Sequence, residues 1–171
     1  DSATFVTASA DNTVKRWSVD DLLEKQTYRH SSDTSVNYQQ VGVVVTKEHV
    51  LSLSLNGEIN LYSHDDSVPC EVIHGHQRAL TNCLIIKDHF ISGGSDGTLF
   101  QHEIDDGEMK SSAKLFSQTE AHSNFVTSIK GIKEFVVTTG WDDKLKLWRD
   151  GQLNKSVSLK GQPKGVSITE N

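Results

Sequence analysis

Residues 122–148 read HSNFVTSIKGIKEFVVTTGWDDKLKLW. Three short runs of apolar and β-branched residues alternate here with turn residues, which is typical of consecutive β-strands. Four groups punctuate these runs. Thr138 follows His122 by sixteen residues, Asp142 follows it by twenty and Trp148 by twenty-six. A fixed spacing of this kind is tested by asking whether it recurs along the chain.

The spacing recurs in four copies. In each copy a hydroxyl residue stands four positions before a turn acid or amide, and a ring stands six positions after it. The four sets are Thr7, Asp11 and Trp17; Ser52, Asn56 and Tyr62; Ser92, Asp96 and His102; and Thr138, Asp142 and Trp148. The turn residues are 45, 40 and 46 positions apart, and His76 and His122 stand twenty positions before the last two. Because three offsets agree in four copies, we interpret the chain as a repeat protein.

Each repeat predicts short antiparallel strands joined by tight turns. Asn56-Gly57 lies between two alternating strands, a strong hairpin signal because both residue types tolerate positive φ. Residues 166–169 have the pattern of the first strand of a further unit. A single four-stranded sheet cannot cover both of its faces, whereas radially stacked sheets cover one another. Since no segment has a sustained 3.6-residue period, the sequence predicts an all-β fold of four-stranded propeller blades.

Composition excludes several classes of protein. The net charge is −6, which argues against a surface that follows nucleic-acid phosphates. No apolar run is long enough to span a bilayer, and no signal peptide is visible. The two cysteines, Cys70 and Cys83, suit a reducing compartment rather than a disulfide framework. We therefore expect a cytoplasmic protein that binds no nucleic acid, membrane or small-molecule substrate.

The Gly75-His76 lead, the Ser/Thr–Asp–Trp offsets and the period resemble WD repeats over essentially the whole chain. More narrowly, YQQVGVVV at 38–45, LSLSLNGEINLY at 51–62 and VIHGH at 72–76 resemble the actin-interacting protein 1 family, its fungal members in particular. That resemblance implies two seven-bladed propellers in one longer chain, with this sequence from its middle. Residues 1–30 would be a partial blade ending the first propeller. Residues 31–171 would be about three blades plus one strand starting the second. A closed four-bladed ring is the alternative.

The resemblance also implies a function. Members of the family assist cofilin in severing and disassembling actin filaments and cap filament ends. The expected partners are therefore actin and cofilin, the expected location is the actin cytoskeleton, and no cofactor is expected. The alternative is a WD-repeat scaffold in another complex, such as a ubiquitin-ligase receptor or a ribosome-assembly factor.

The sequence departs from the family pattern in two of its units. Asn56 replaces the turn Asp, and Val36 stands where a His would precede it by twenty residues. Tyr62 and His102 replace the strand Trp. The fourth unit has all four members of the pattern.

A His, a hydroxyl and an Asp together also invite a hydrolase hypothesis, with Thr138 or Ser92 as nucleophile and His122 or His76 as base. A catalytic centre is built once in a protein, whereas the hydroxyl and the turn acid or amide recur in every unit. In WD-repeat proteins the same groups form a buried chain from the ring nitrogen through the His and the hydroxyl to the turn carboxylate, and buried polar groups must be paired. We therefore predict a structural network and no enzyme. Its predicted members are Thr7, Asp11, Trp17, His76, Ser92, Asp96, His122, Thr138, Asp142 and Trp148.

Two further features concern binding. His74-Gly75-His76 has no Cys or His partner at ligand spacing, so no metal site is predicted. Trp141 flanks a turn that should open on one face of the ring, where it is either a partner hot spot or a ring lying flat on the neighbouring blade. Two residues follow each network His: Gln77 and Arg78 after His76, and Ser123 and Asn124 after His122. We expect these four residues to line the same face of the ring as an interaction surface.

Overall fold

The computed structural model describes residues 3–105, 108–115 and 121–169. Within these ranges the regular structure consists of fifteen strands and one 3₁₀ turn at Val36–Tyr38. The strands form separate antiparallel sheets, so the predicted all-β fold of blade-like sheets is confirmed. None of the described residues belongs to a helix that is long and apolar enough to cross a membrane.

In each sheet the strand order follows the chain, so every strand pairs with its neighbours in sequence. The first sheet contains β1 (Thr4–Ala8), β2 (Val14–Ser18) and β3 (Glu24–Tyr28). The second contains β4 (Gln40–Val45), β5 (His49–Ser54), β6 (Glu58–Ser63) and β7 (Glu71–His74). The third contains β8 (Leu80–Ile86), β9 (His89–Gly94), β10 (Leu99–Asp105) and β11 (Glu108–Leu115). The fourth contains β12 (Val126–Ile132), β13 (Phe135–Gly140), β14 (Lys144–Arg149) and β15 (Gln152–Ser158).

The sheets stack face to face, and their first strands contact one another in succession: β1 with β4, β4 with β8, and β8 with β12. An apolar cluster fills each of the three spaces between consecutive sheets. No comparable contact joins β1 to β12 in the described part of the chain, so the four sheets form an open arc rather than a closed four-bladed ring. The division of the chain between two rings near residue 30 stays a prediction.

The second sheet shows how strand alternation produces this stack. The register pairs Val50 with Tyr62 and Leu51 with Leu61. The first pair packs in the cluster shared with the first sheet, and the second pair packs in the cluster shared with the third. All four side chains are at most 2% exposed. Because successive residues of a strand point to opposite faces, a sheet covered on both sides needs apolar residues at both sets of positions.

A second contact joins neighbouring sheets at one end. The residue after each turn acid or amide has positive φ: 68° at Asn12, 90° at Gly57, 83° at Gly97 and 57° at Asp143. The backbone N–H of His122 donates to the carbonyl of Gly97 over 3.0 Å. A Cβ on Gly97 would lie 1.8 Å from the carbonyl oxygen of His122, and one on Gly57 would lie 2.5 Å from that of His76. The loop that leads into one sheet therefore rests directly on the turn of the preceding sheet.

The predicted strand at residues 166–169 does not form. After the last strand of the fourth sheet, the N–H of Leu159 donates to the carbonyl of Asp143 over 2.7 Å. Val166 and Ile168 are half-buried but lie outside any strand. A strand exists only when hydrogen bonds pair it with a neighbour, and none of the described strands pairs with this segment. Alternation of apolar and polar residues was therefore not sufficient here.

We predict that Gly97→Ala lowers the free energy of unfolding by about 1–3 kcal/mol. The added methyl group must displace the backbone of His122, and a residue other than glycine is strained at this φ. The matched control is Gly161→Ala, where an added Cβ meets nothing within 4 Å. Urea denaturation of both variants tests the prediction, and equal midpoints for Gly97→Ala and the parent would contradict the contact between loop and turn.

Candidate functional site

A chain of four side chains connects β13, β14, the turn between them and the loop before β12. The indole Nε1–H of Trp148 donates to Thr138 Oγ1 over 2.8 Å. Thr138 Oγ1 lies 2.7 Å from His122 Nε2, and His122 Nδ1 lies 2.9 Å from Asp142 Oδ1. His122, Thr138 and Trp148 are at most 1% exposed. The hydroxyl thus stands between the ring and the imidazole, which corrects the predicted order with the His next to the ring nitrogen.

The surroundings determine where the protons lie. Burial lowers the pKa of His122 despite its contact with Asp142, so the imidazole is neutral. Burial alone would raise the pKa of Asp142, but the hydrogen bond from His122 helps to bring it below its ordinary value. A neutral imidazole has one donor and one acceptor nitrogen. We therefore assign Nδ1–H as donor to the carboxylate and Nε2 as acceptor from the Thr138 hydroxyl. Every polar group of the chain is then satisfied.

The third unit closes its chain through an extra residue. His76 Nε2 lies 2.8 Å from Ser92 Oγ, and His76 Nδ1 lies 3.2 Å from Thr98 Oγ1. The Thr98 hydroxyl in turn donates to Asp96 Oδ1 over 2.6 Å. Asp96 therefore reaches the imidazole only through Thr98, a correction to the predicted four-member chain. The fourth unit has Lys144 at the position equivalent to Thr98, and there the carboxylate contacts the imidazole directly.

Sequence reasoning missed Thr98, although a signal existed. The first unit also has a hydroxyl two residues after its turn acid, at Thr13, and this hydroxyl donates to Asp11 Oδ1 over 2.6 Å. In the same unit Trp17 Nε1 donates to Thr7 Oγ1 over 2.9 Å. The first unit thus has the hydrogen bond from the ring to the strand hydroxyl and the hydrogen bond to the turn acid. Among the described residues no imidazole joins the two.

The remaining ring positions differ in how their polar atoms are paired. Burial raises the pKa of Tyr62 to about 12, against the effect of a hydrogen bond with Ser52. His102 Nδ1 lies 3.2 Å from the carbonyl of Lys110, and its Nε2 has no hydrogen-bond partner among the described residues. The ring therefore donates a hydrogen bond to the strand hydroxyl in the first and fourth units, and this bond is absent from the described part of the third.

The geometry gives no support to hydrolytic chemistry at these groups. The Thr138 hydroxyl is already engaged by Trp148 and His122, and both Thr138 and His122 are fully buried. A nucleophile and its base must reach a substrate to act. The described residues also contain no group of three or more His, Cys, Asp or Glu side chains arranged to hold a metal ion.

Trp141 lies at the same end of the fourth sheet, outside the buried chain. Its ring centroid is 4.7 Å from that of Phe125, with the planes at 32°, and Lys164 Nζ is 4.9 Å from the Trp141 ring. Phe125 is 37% exposed, and Ser123 and Asn124 are exposed. We name Trp141, Phe125, Ser123 and Asn124 the aromatic surface. Trp141 therefore contacts a ring of its own unit and the amino group of a lysine in the segment that follows β15.

Phe125 is the member of this surface that sequence reasoning missed. Its equivalents in the second and third units are Gln39 and Ala79, so an aromatic residue stands at this position in one repeat alone. In the third unit, Gln77 and Arg78 are exposed in the corresponding loop before β8.

The chain is similar to several known proteins. The WD domain, G-beta repeat family matches residues 113–149. WD repeat-containing protein 1 of Gallus gallus is 32% identical over 98% of this chain and 28% of its own length. Actin-interacting protein 1 of Caenorhabditis elegans is 30% identical over 80% of this chain and 23% of its own length. The computationally designed Ika4 protein is 21% identical and superposes with a TM-score of 0.68, covering 87% of this chain and 86% of Ika4. The chain thus spans about a quarter of the length of the curated relatives it matches.

We predict that Asp142→Ala lowers the free energy of unfolding by about 2–4 kcal/mol, because the buried Nδ1–H of His122 loses its acceptor. The control is Asp20→Ala, which removes an exposed carboxylate and should change stability by less than about 0.5 kcal/mol. Chemical denaturation measures both. An Asp142→Ala protein that unfolds at the same midpoint as its parent would show that the hydrogen-bonded chain contributes little to stability.

We also predict that the fold loses stability as the pH falls from about 6.5 to 4. Burial lowers the pKa of His76 from 6.5 to about 4, with Asp96 raising it and His102 lowering it. The unfolded chain therefore binds more protons in this window, and the stability present above pH 6.5 is lost towards pH 4, by about 3 kcal/mol for this residue. Urea denaturation at several pH values should show the slope. His76→Gln should flatten the slope, whereas His64→Gln, a half-buried residue that contacts the carbonyl of Lys47 in a turn, should leave it unchanged.

Proposed function

This chain belongs to the WD-repeat family, and from that membership we propose that it acts as a non-catalytic scaffold that binds actin and cofilin, promotes cofilin-dependent disassembly of actin filaments and caps their ends. The observation that carries the proposal is the similarity to WD repeat-containing protein 1 along 98% of the chain. The Caenorhabditis elegans relative is by its name an actin-interacting protein. The proposed setting is the actin cytoskeleton in the cytoplasm.

The buried chain supports a scaffold role because it holds a surface loop in place. Asp142 uses Oδ1 for the imidazole of His122 and Oδ2 for the backbone N–H of Ser123, at 2.9 and 3.2 Å. One carboxylate therefore satisfies the interior and fixes the loop that carries Ser123 and Asn124. A loop that is already ordered loses less conformational entropy when a partner binds.

The aromatic surface is the proposed contact with the filament. Two adjacent rings, Phe125 and Trp141, offer apolar area at the edge of the sheet, and exposed polar side chains surround them. Aromatic residues amid polar ones are typical of the anchor points of protein interfaces. Gln77 and Arg78, exposed in the corresponding loop of the preceding unit, are proposed to extend the contact.

We predict that Trp141→Ala in the full-length protein weakens co-sedimentation with cofilin-decorated actin filaments by about tenfold or more, as expected for loss of an aromatic anchor. Filament disassembly, followed by the fluorescence of labelled actin, should slow in parallel. The control is Lys155→Ala on the exposed outer strand β15, which should sediment like the parent. Circular dichroism melts of each variant establish that folding is intact.

Two outcomes separate the parts of this proposal. A full-length protein that neither sediments with cofilin-decorated filaments nor changes their disassembly would contradict the actin function itself. A protein that binds equally with and without Trp141 and Phe125, tested as single alanine variants, would instead show that the contact lies elsewhere.

A further inference from the structure

The turn between β5 and β6 contains Asn56 followed by Gly57, a pair of residues that is chemically labile. Glycine has no side chain to shield its backbone nitrogen, so this nitrogen can attack the side-chain amide of a preceding asparagine. The Gly57 nitrogen bonds to Asn56 Cγ, the bond from Cγ to Nδ2 breaks, and ammonia leaves with the proton of the Gly57 N–H. Water then opens the succinimide ring at either carbonyl, which leaves aspartate or isoaspartate at position 56.

In the folded turn, hydrogen bonds hold both of the reacting groups. The Ser54 hydroxyl donates to Asn56 Oδ1, and the backbone N–H of Glu58 donates to the same oxygen over 3.2 Å. The backbone N–H of Gly57 donates to the carbonyl of Ser54 over 3.1 Å. The nitrogen of a succinimide carries no hydrogen, so the ring cannot form without breaking this bond. The reaction therefore requires the turn to open.

The Ser54 hydroxyl has in the second unit the role that an imidazole has in the fourth. There His122 Nδ1 lies 2.9 Å from Asp142 Oδ1, and Gly140 stands two residues before the turn acid. A Cβ on Gly140 would lie 2.5 Å from His122 Nδ1, so the glycine makes room for the imidazole. The second unit has no His at the equivalent position of its sequence, and Ser54 stands where the fourth unit has that glycine. The serine thus supplies the donor that the turn residue needs.

The loop between β7 and β8 covers this turn from the third sheet. Gly57 is buried, and a Cβ there would lie 2.5 Å from the carbonyl oxygen of His76 and 2.8 Å from that of Arg78. Isoaspartate adds a methylene carbon to the main chain, and a turn without room for a Cβ has no room for a longer main chain. Aspartate leaves the main chain unchanged and is the residue type at this position in the other three units. The two products therefore differ in whether the turn can close again.

We propose that Asn56 is a modification site whose deamidation requires the contact between the second and third sheets to open. While the loop rests on the turn, the amide is preserved. When the contact opens locally, as parts of folded proteins do, the amide is lost. Chains that acquire isoaspartate cannot restore the contact, so the modification makes a transient opening permanent. This site does not depend on the proposed function, because the reaction needs no partner other than water.

The test compares the full-length protein in buffer with the same protein in concentrated guanidinium chloride, both at neutral pH. Digestion and tandem mass spectrometry measure the replacement of NH₂ by OH at Asn56 over time. We predict deamidation that is faster in guanidinium chloride by about tenfold or more, because the rate in the folded protein follows the population of the open turn. Asn154 is exposed and precedes Lys155, whose side chain shields the backbone nitrogen. It is the internal control and should deamidate more slowly than Asn56 in guanidinium chloride.

Two variants distinguish local opening from global unfolding. Ser54→Ala removes the side-chain donor to Asn56 Oδ1 and should raise the rate in buffer severalfold, while the rate in guanidinium chloride stays the same. Gly97→Ala disturbs the equivalent contact between the third and fourth sheets and should leave the rate at Asn56 unchanged. Equal acceleration by both variants would overturn the proposal, as would equal rates for the parent in buffer and in denaturant. The comparison of the parent in two solutions decides even if Ser54→Ala folds poorly.

The two products provide a separate measurement. Reversed-phase chromatography of the digests gives the fraction of isoaspartate in each aged sample, and circular dichroism gives its melting temperature. The variant Asn56→Asp, which keeps the main chain unchanged, should melt like the parent. Aged protein should melt at a lower temperature in proportion to its isoaspartate content. Samples rich in isoaspartate that melt like Asn56→Asp would contradict the permanent loss of the contact.

Discussion

The imidazole of His122 has no contact with water, and each of its two nitrogens must therefore find a partner within the protein. One partner, the Thr138 hydroxyl, comes from the middle of a strand, and the other, Asp142, comes from the turn at the end of that strand. The His itself lies in the loop that enters the sheet. Three separate parts of one repeat are thereby held at fixed distances, and none of them can move without leaving a polar group unpaired.

This network depends on cover from the neighbouring sheet. Thr138 and Ser92 lie at equivalent positions in the fourth and third sheets and are fully buried, because a sheet precedes each of them in the arc. Thr7 occupies the same position in the first sheet, where no described sheet covers it, and is exposed. The same hydrogen bond from the indole of the strand Trp is thus buried in one sheet and exposed in the other. The recurring hydrogen bonds stabilise the fold mainly where a neighbouring sheet buries them, because an exposed hydrogen bond competes with water.

The sequence was informative wherever one repeat resembles another and uninformative where a single repeat differs. The offsets around Asp142 predicted strands, turns and a shared site because the same geometry recurs. The hydroxyl of Thr98 was overlooked because only the first and third units have a hydroxyl two residues after the turn acid. Its role also depends on the distance between the side chains of Asp96 and His76, which the spacing along the sequence does not give. The segment at 166–169 has the alternation of a strand, but pairing depends on a neighbour that its own residues do not encode. Phe125 was overlooked for a similar reason, because its contact with Trp141 joins the loop before β12 to the turn after β13.

The fourth unit differs from the third at both ends of the sheet. At one end Trp141 and Phe125 stand where the third unit has Ser95 and Ala79, and at the other Val136 stands where the third unit has Phe90. Between them, the buried chain and the apolar cluster around Ile129 keep the sheet rigid. A rigid middle allows the ends to change, because a substitution there alters the surface without disturbing the stacking of neighbouring sheets. In a stack of this kind, differences between repeats are therefore better indicators of binding sites than the pattern the repeats share, which the fold itself requires.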